Sequence, residues 1–591
     1  MKIVYGVALP EQVRRLLDLA KCVGVDVEAI GVTGEHDLEE ALSVPVAGPS
    51  ALVIDIESLA QALPASAARV RDALRRGGTS VLLLVTSPSQ TASRYLSAVT
   101  GGIGQSVGLL AAAEAQSVLF SGALAGELRD RVFERAPKRA LYLAAGDDLF
   151  EPIMSIGGRH LFGRIVEPDS PGEVFVWSTE CVFDMLRPLN EEREFELAMD
   201  EYVPAIIFLR RALGDRCWHS PSAAAALVID DPLIRRRYGF IRFERLLESA
   251  RRTGYHVSLA FIPWNHGRTR ARDAAFFRSY EDVFSVCVHG NDHTKGEFYS
   301  NDRERLGSSA TEALFRMDAH RERTGLTYQR VMVYPQERYS VQAVRALAET
   351  GEYVGVANSR FIPPDPAAQG TLSGADLLLP AQDFWFGMPI LKRHYASEGL
   401  SKFAFALFMG RPAVLAEHHE YFRTGTDRIE AFVRELRLMS PNLQWGSLEQ
   451  ALRRLCRRRQ ISGRDWCLRI FADTFELLHD NDEEARYELH RRVSDDAVID
   501  AVTVDGVPTP FVVQDSTLRF HVETSVRGMR TVRIHRRLSE RRAPRGQPFS
   551  YRLKVGLRRV LSEFRDNVLS RSAVASEVAS ACARVLRQTR N

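Results

Sequence analysis

At 591 residues the chain exceeds a typical domain of roughly 100–200 residues several-fold, so about four modules are expected rather than one core. Apolar residues at 45% and charged residues at 26% are ordinary globular values, which exclude a collagen-like chain, a coiled-coil rod and extensive disorder. The 78 basic residues, all but seven of them arginine, nearly cancel the 75 acidic ones, and a net charge of +3 supplies no global field that would recruit nucleic acid.

The seven cysteines are scattered, odd in number and free of any C-x-x-C pair, which fits a reducing compartment. The opening Met1–Pro10 run is short and soon charged at Glu11 and Arg14, so it reads as a buried strand rather than a signal peptide. Arg411 and Glu114 interrupt the longest apolar runs before they reach membrane-spanning length. The expected location is cytoplasmic, with any membrane contact peripheral, at the inner surface.

In chain order, Lys2–Val7, Val27–Val32, Ala51–Ile56 and Ser80–Val85 carry strand patterns, and Glu11–Cys22, Leu59–Arg76 and Glu127–Glu134 carry helical spacing. The alternation predicts a parallel, flavodoxin-like α/β sandwich that, with a connector, fills residues 1–219. No G-x-G-x-x-G or P-loop accompanies it, so a dinucleotide or nucleotide site is not expected there. Strands at Ala140–Ala144, Gly163–Val166 and Glu173–Trp177 and a helix at Tyr202–Leu213 complete this part.

Residues 220–460 repeat a βα pattern, with strands at Ala226–Ile229, His256–Ile262, Val283–Val288, Val331–Tyr334 and Ala413–Ala416, and read as a barrel or an open sheet. Residues 461–540 hold short strands separated by turn residues such as Asp505-Gly506, the pattern of a small β-sandwich. After the breaker-rich Arg541–Pro548 linker, Leu553, Leu557, Val560, Leu561, Phe564 and Val568 fall on one face of a helix, and Val574, Val578, Cys582 and Val585 continue it. Arg552, Lys554, Arg558, Arg559 and Arg565 lie between them. Such a helix is a candidate for contact with a membrane surface or with protein.

Chemistry concentrates in the βα region. The Ala225–Ile229 strand delivers Asp230 and Asp231 at its C-terminal end, where barrels place their sites, and adjacent residues of a strand point to opposite sides. The Val283–Val288 strand delivers His289-Gly290-Asn291-Asp292-His293. If the chain turns into a helix there, the i, i+4 spacing stacks both imidazoles on one face. With Asp231 they form a set of two nitrogens and one carboxylate suited to Zn²⁺ or another divalent transition metal. Either pair alone is weak; both following buried strands in one βα region is much stronger. Two further strands end at Tyr334-Pro335-Gln336-Glu337-Arg338 and at His418-His419. Alternation sends one of these histidines inward, and spacing leaves open which, with His418 preferred.

This order of motifs resembles the polysaccharide deacetylase family, carbohydrate esterase family four with its NodB-homology domain, and the His-Gly-x-x-His form resembles a divergent branch of it. The resemblance covers Ala223–Arg459 and implies a distorted (β/α) barrel of fewer than eight regular units. It further implies Asp230 as general base, Asp231, His289 and His293 as metal ligands, and His418 or His419 as general acid. On that basis the metal would activate water, and the metal with backbone N–H groups near Tyr334–Gln336 would stabilise the oxyanion, Tyr334, Pro335 and Arg338 being the expected oxyanion and substrate residues. Gly290 replaces the family's usual Ser or Thr, Arg-Pro-Pro is replaced by Val333-Tyr334-Pro335, and Asp383-Phe384-Trp385 only loosely matches an acid-tryptophan motif. Arg338 or Arg393 stands in for the missing arginine. The expected activity is hydrolysis of the acetamide of an N-acetylated sugar or glycan precursor. The alternative is a non-catalytic scaffold of a surface-polysaccharide assembly. The spacing says nothing of oligomeric state.

Overall fold

The computed structural model describes residues 1–568 except 44–48, 77, 147–148, 167–171, 481, 495–497, 525–526 and 538–546. Residues 574, 578, 582 and 585 of the predicted terminal helix, and most of the predicted linker, lie outside the described residues.

The first module is built on an 11-stranded mixed sheet. Glu28–Gly31, Lys2–Tyr5, Ala51–Asp55 and Ser80–Val85 run parallel in that order, as the βα alternation demands, and Val174–Ser178 joins them in parallel. The rest of the sheet departs from the predicted all-parallel sandwich. Arg159–Ile165, Phe150–Ile156, Ser117–Phe120 and Arg131–Glu134 continue it as antiparallel hairpins. Gly157-Gly158 turns one of them with both residues at positive φ, 53° and 75°, the geometry that right-twisted hairpin strands require. The helix expected over Glu127–Glu134 is absent. Asp130 at φ 59° ends a short 3-10 turn, and Arg131–Glu134 is an edge strand in which Phe133 is buried and Val132 exposed. Leu128 and Val132, four apart, imitate a helical face there. The predicted Leu59–Arg76 helix is real but broken at Pro64, where a missing N–H interrupts the ladder.

Seven parallel strands form a closed barrel: Ala224–Asp230, Val257–Phe261, Phe284–His289, Gln329–Val333, Gly355–Asn358, Ile390–His394 and Ala413–Glu417. The first pairs with both the second and the last, which closes the ring. Ala226, Val228, Ala260, Cys287, Val331, Val333, Ala357, Leu391 and Val414 pack together with Leu448, Ala451 and Leu452 of the Leu448–Arg454 helix and with Phe471. These are the inward positions, and that helix stops the lower end. The alternate set, including Ala225, Leu227 and Ile229, packs outward against the helices in a core continuous with that of the first module.

The chain between the two modules is built into the barrel wall. Lys392, 9% exposed, lies 2.5 Å from Glu192 and 2.7 Å from Glu196, and Lys402 lies 2.6 Å from the other oxygen of Glu196. Burial works against the Lys392 charge, but the two carboxylates prevail and raise its pKa. Beyond the barrel, sheets of five and four strands pack Trp466, Leu468, Tyr487 and Phe520 against Phe475, Leu477, Val502 and Val532 as a small sandwich. Its first strand is Cys456–Ser462, and one pair in it, Asp465–Ile470 with Ala485–Arg492, is parallel. Asp473 holds the sandwich's buried Arg491 at 3.2 Å and Arg536 at 2.5 Å. The last described helix is Phe549–Asn567.

Lys392→Met leaves Glu192 and part of Glu196 without their cation in a nearly dry position. A loss of about 3–5 kcal/mol is expected, read as a lowered thermal midpoint; an unchanged midpoint counts against this joint between the modules.

Candidate metal centre

Inside a closed barrel, every second residue faces the axis. Two positions above the inward Val228, Cys287, Leu391 and Ala416 stand Asp230, His289, Arg393 and His418. Four polar residues distant in sequence thereby share the upper mouth. Asp230 and Arg393 are 3% and 1% exposed, and the Arg393 Nη1–H donates to Asp230 at 2.8 Å. Burial raises the Asp230 pKa, but the guanidinium outweighs it and holds the carboxyl below its ordinary range, and Asp230 in turn raises the pKa of Arg393.

Asp231 leaves the strand with φ 69°, a left-handed turn that aims its side chain toward the two histidines. Its Oδ1 lies 3.4 Å from Nε2 of His289 and 3.2 Å from Nε2 of His293, and the three donor atoms lie within 4.8 Å of one another. The helix imagined for His289–His293 does not form. The strand ends at His289, Gly290 and His293 take φ 60° and 57°, and a tight loop brings the rings to a centroid distance of 4.8 Å. Nδ1–H of His289 donates to the Val333 carbonyl at 3.0 Å, which fixes the ring and turns Nε2 inward.

The donor set fits a divalent cation. Asp231 Oδ1, the atom both imidazoles approach, is buried without a hydrogen-bond partner among the described residues, which is costly for a polar atom unless something else meets it. Burial pulls the His293 pKa down to about 4, so its imidazole is a neutral ligand at physiological pH. For Asp231 burial is overcome by the two imidazoles, and its pKa falls below the ordinary range. At His289 burial is outweighed by Asp231 and Asp230, which raise its pKa, so a cation would take the place of a proton there; with that exchange, two nitrogens and a carboxylate form a set for Zn²⁺ or a similar transition metal.

No protein-family model and no curated protein matches the chain. Among solved structures, a family 4 carbohydrate esterase from Streptomyces lividans in complex with acetate is 12% identical, with 39% of this chain and 94% of that one covered at a TM-score of 0.23. A T48 deacetylase with substrate is 11% identical over 39% and 91% of the two chains, TM-score 0.24. A pseudoenzyme of the same esterase family from Bacillus anthracis is 10% identical over 39% and 66%, TM-score 0.25.

The other predicted residues separate. His418 is half-buried, stacked on Tyr395 at 6.1 Å and 11°, and its charge would be felt by both Asp230 and Asp231. His419 turns the other way, against Tyr238 and Phe240, with Nε2 at 3.7 Å from Asp566. The Tyr334 ring is fully buried and stacks on Tyr339 at 4.8 Å; its hydroxyl has no partner among the described residues. Pro335 lies against Gly290, where an added Cβ would meet Pro335 Cγ at 2.4 Å and Glu297 Oε2 at 2.7 Å. Any larger residue there would have to displace one of them. Arg338 is exposed over the Tyr299 ring at 4.3 Å, so Arg393, not Arg338, is the cation that holds Asp230. Asp383 is fully buried, with Arg469 at 2.7 Å from one oxygen and Arg491 at 3.6 Å from the other, so it presents nothing to a substrate.

Two features of the mouth were missed in the sequence. Glu297 accepts the backbone N–H groups of Asn291, Asp292 and His293 at 2.9–3.2 Å and so ties the loop; burial and Asp292 push its pKa up to about 8. An acid four residues after His293 was the available signal. The second is the Phe549–Asn567 helix, which lies over the mouth. Tyr551 donates to Asp292, Glu563 pairs with Arg268, Asp566 accepts from Tyr238 at 2.7 Å, and Asn567 accepts from the Gly239 N–H at 2.9 Å. Arg559, 7% exposed, raises the positive potential at His293 and is itself attracted to Asp231. Nothing in the spacing of residues 549–568 indicated which surface it would cover.

Gly290→Ala should push Pro335 or Glu297 away and misplace His293. A drop of at least about tenfold in divalent-cation affinity is expected by equilibrium dialysis, in line with losses seen when a ligand's support is disturbed; unchanged affinity would show that the loop absorbs the extra carbon.

Proposed function

We propose that the protein is a metal-dependent hydrolase that removes acetyl from an N-acetylated sugar or glycan precursor. The observation that carries this reading is the meeting of Asp231, His289 and His293 at one point of the barrel mouth, beside the ionised Asp230. The three would hold the cation, which when bound supplies the Lewis acidity that water and an amide carbonyl need at neutral pH.

Asp230 accepts the proton of the attacking water. Its bond to Arg393 keeps it ionised and aimed, at some expense in basicity, since a carboxylate below its ordinary pKa is a weaker base. His418, on the same interior face, delivers a proton to the departing amine, while His419, turned away beneath the terminal helix against Tyr238 and Asp566, is given no part in the reaction. The substrate class rests on the motif order, and Zn²⁺ on the donor set. A second reading has its own support: with Arg559 and the Phe549–Asn567 helix over the mouth, a barrel that keeps its ligands but serves as a scaffold is consistent with the covered site.

Acetate release from N-acetylhexosamine derivatives, measured beside simple esters and cyclic amides, decides between them. Asp230→Asn should abolish turnover and leave cation stoichiometry intact, whereas Asp231→Asn should weaken both. Full activity of either variant removes these roles. Stoichiometric cation without acetate release from any acetamido sugar favours the scaffold. For the cation itself, elemental analysis of the protein beside the Asp231→Asn/His289→Ala double variant should give a filled site in the first and close to none in the second; equal, near-zero content in both ends the hydrolase reading.

A further inference from the structure

The Phe549–Asn567 helix is amphipathic the wrong way round for a globular protein. Its mostly polar side faces the barrel, through Tyr551, Arg559, Glu563, Asp566 and Asn567 with Val555 buried among them, while Leu553, Leu557, Val560, Leu561 and Phe564 face outward, each 51–63% exposed, and Phe549 is 79% exposed. At about 100° per residue these apolar side chains occupy a continuous arc of about 120°, along a helix about 28 Å long. Surface helices ordinarily bury such a stripe. Here the ion pair with Arg268 and the hydrogen bonds with Tyr238 and Gly239 pin the opposite side down, so rolling the helix inward would break them.

The flank of the stripe identifies what covers it. Lys554, Arg558 and Arg565 project along one edge, within about 60° of the last apolar position, and Lys554 and Arg565 are exposed. Arg565 pairs with Asp566, and no acidic residue of the helix lies within the apolar arc. Long basic side chains beside an apolar stripe let the stripe enter the acyl boundary while the cations reach lipid phosphates. We propose that this helix is an interfacial anchor that docks the protein, barrel mouth first, on an anionic lipid bilayer. The proposal is independent of what reaction, if any, the barrel carries out.

Sedimentation of the full-length protein with phosphatidylcholine vesicles, with and without phosphatidylglycerol, tests it. Binding to the anionic vesicles is expected, weakening as salt is raised, with pure phosphatidylcholine vesicles bound at least about tenfold less well. Lys554→Glu/Arg558→Glu should weaken binding by more than about twentyfold, at about fivefold or more per charge, and Leu557→Asp/Leu561→Asp by at least about tenfold. These four side chains are solvent-facing or at the helix edge, so thermal midpoints should stay unchanged. In a separate gain-of-signal variant, Phe564→Trp should be quenched by brominated acyl chains. No binding of the unaltered protein to anionic vesicles overturns the proposal, as does equal binding by both double variants. A dimer that Leu557→Asp dissolves, without vesicle binding, would assign the stripe to a second copy of the chain instead.

Discussion

Seven parallel strands closed into a ring leave each inward side chain a single destination, and the candidate site depends on that constraint. Asp230, His289, Arg393 and His418 come from four strands spread over almost two hundred residues, yet each lies one inward step above a small or aliphatic residue that fills the barrel. The hydrophobic filling below and the polar cluster above are two parts of the same alternation. Carrying an ion pair as dry as Arg393 and Asp230 is costly, and it persists because each partner removes the other's unpaired charge. Asp231, His289 and His293 are then brought together by backbone turns that most residues avoid, at Asp231, Gly290 and His293.

The sequence was most legible where period and chemistry coincide. The strands that end at Asp230, His289 and Val333 lie where their apolar runs predict, and the Asp-Asp and His-x-x-x-His pairs do converge. Spacing misjudged how the histidines meet, because i, i+4 is equally served by a helix and by a loop folded over Glu297. It also could not rank Arg338 against Arg393, since a long side chain's reach is set by which strand face it leaves. In the first module, helical spacing at Leu128 and Val132 conceals the edge strand Arg131–Glu134, and the short strand patterns after residue 140 do not announce that they pair as hairpins. The amphipathic terminal helix was visible as a pattern, but periodicity names a face and says nothing of which side meets the protein.

That helix changes the character of the mouth. Arg559 and the contacts around Asp292, Tyr238 and Arg268 lay over it an element that is oily on its outer side, while Asp231 and His293 stay partly exposed beneath. Whatever the barrel does, it does it beneath a cover built to meet something other than water.

Chain order gives this cover a temporal meaning. The segment bearing Asp231, His289 and His293 emerges from the ribosome, and can fold with its neighbouring strands, well before the segment bearing Tyr551, Arg559 and Asp566 has been synthesised. The helix can dock only on strands already made, and its docking narrows the approach to Asp231 and His293 without burying either completely.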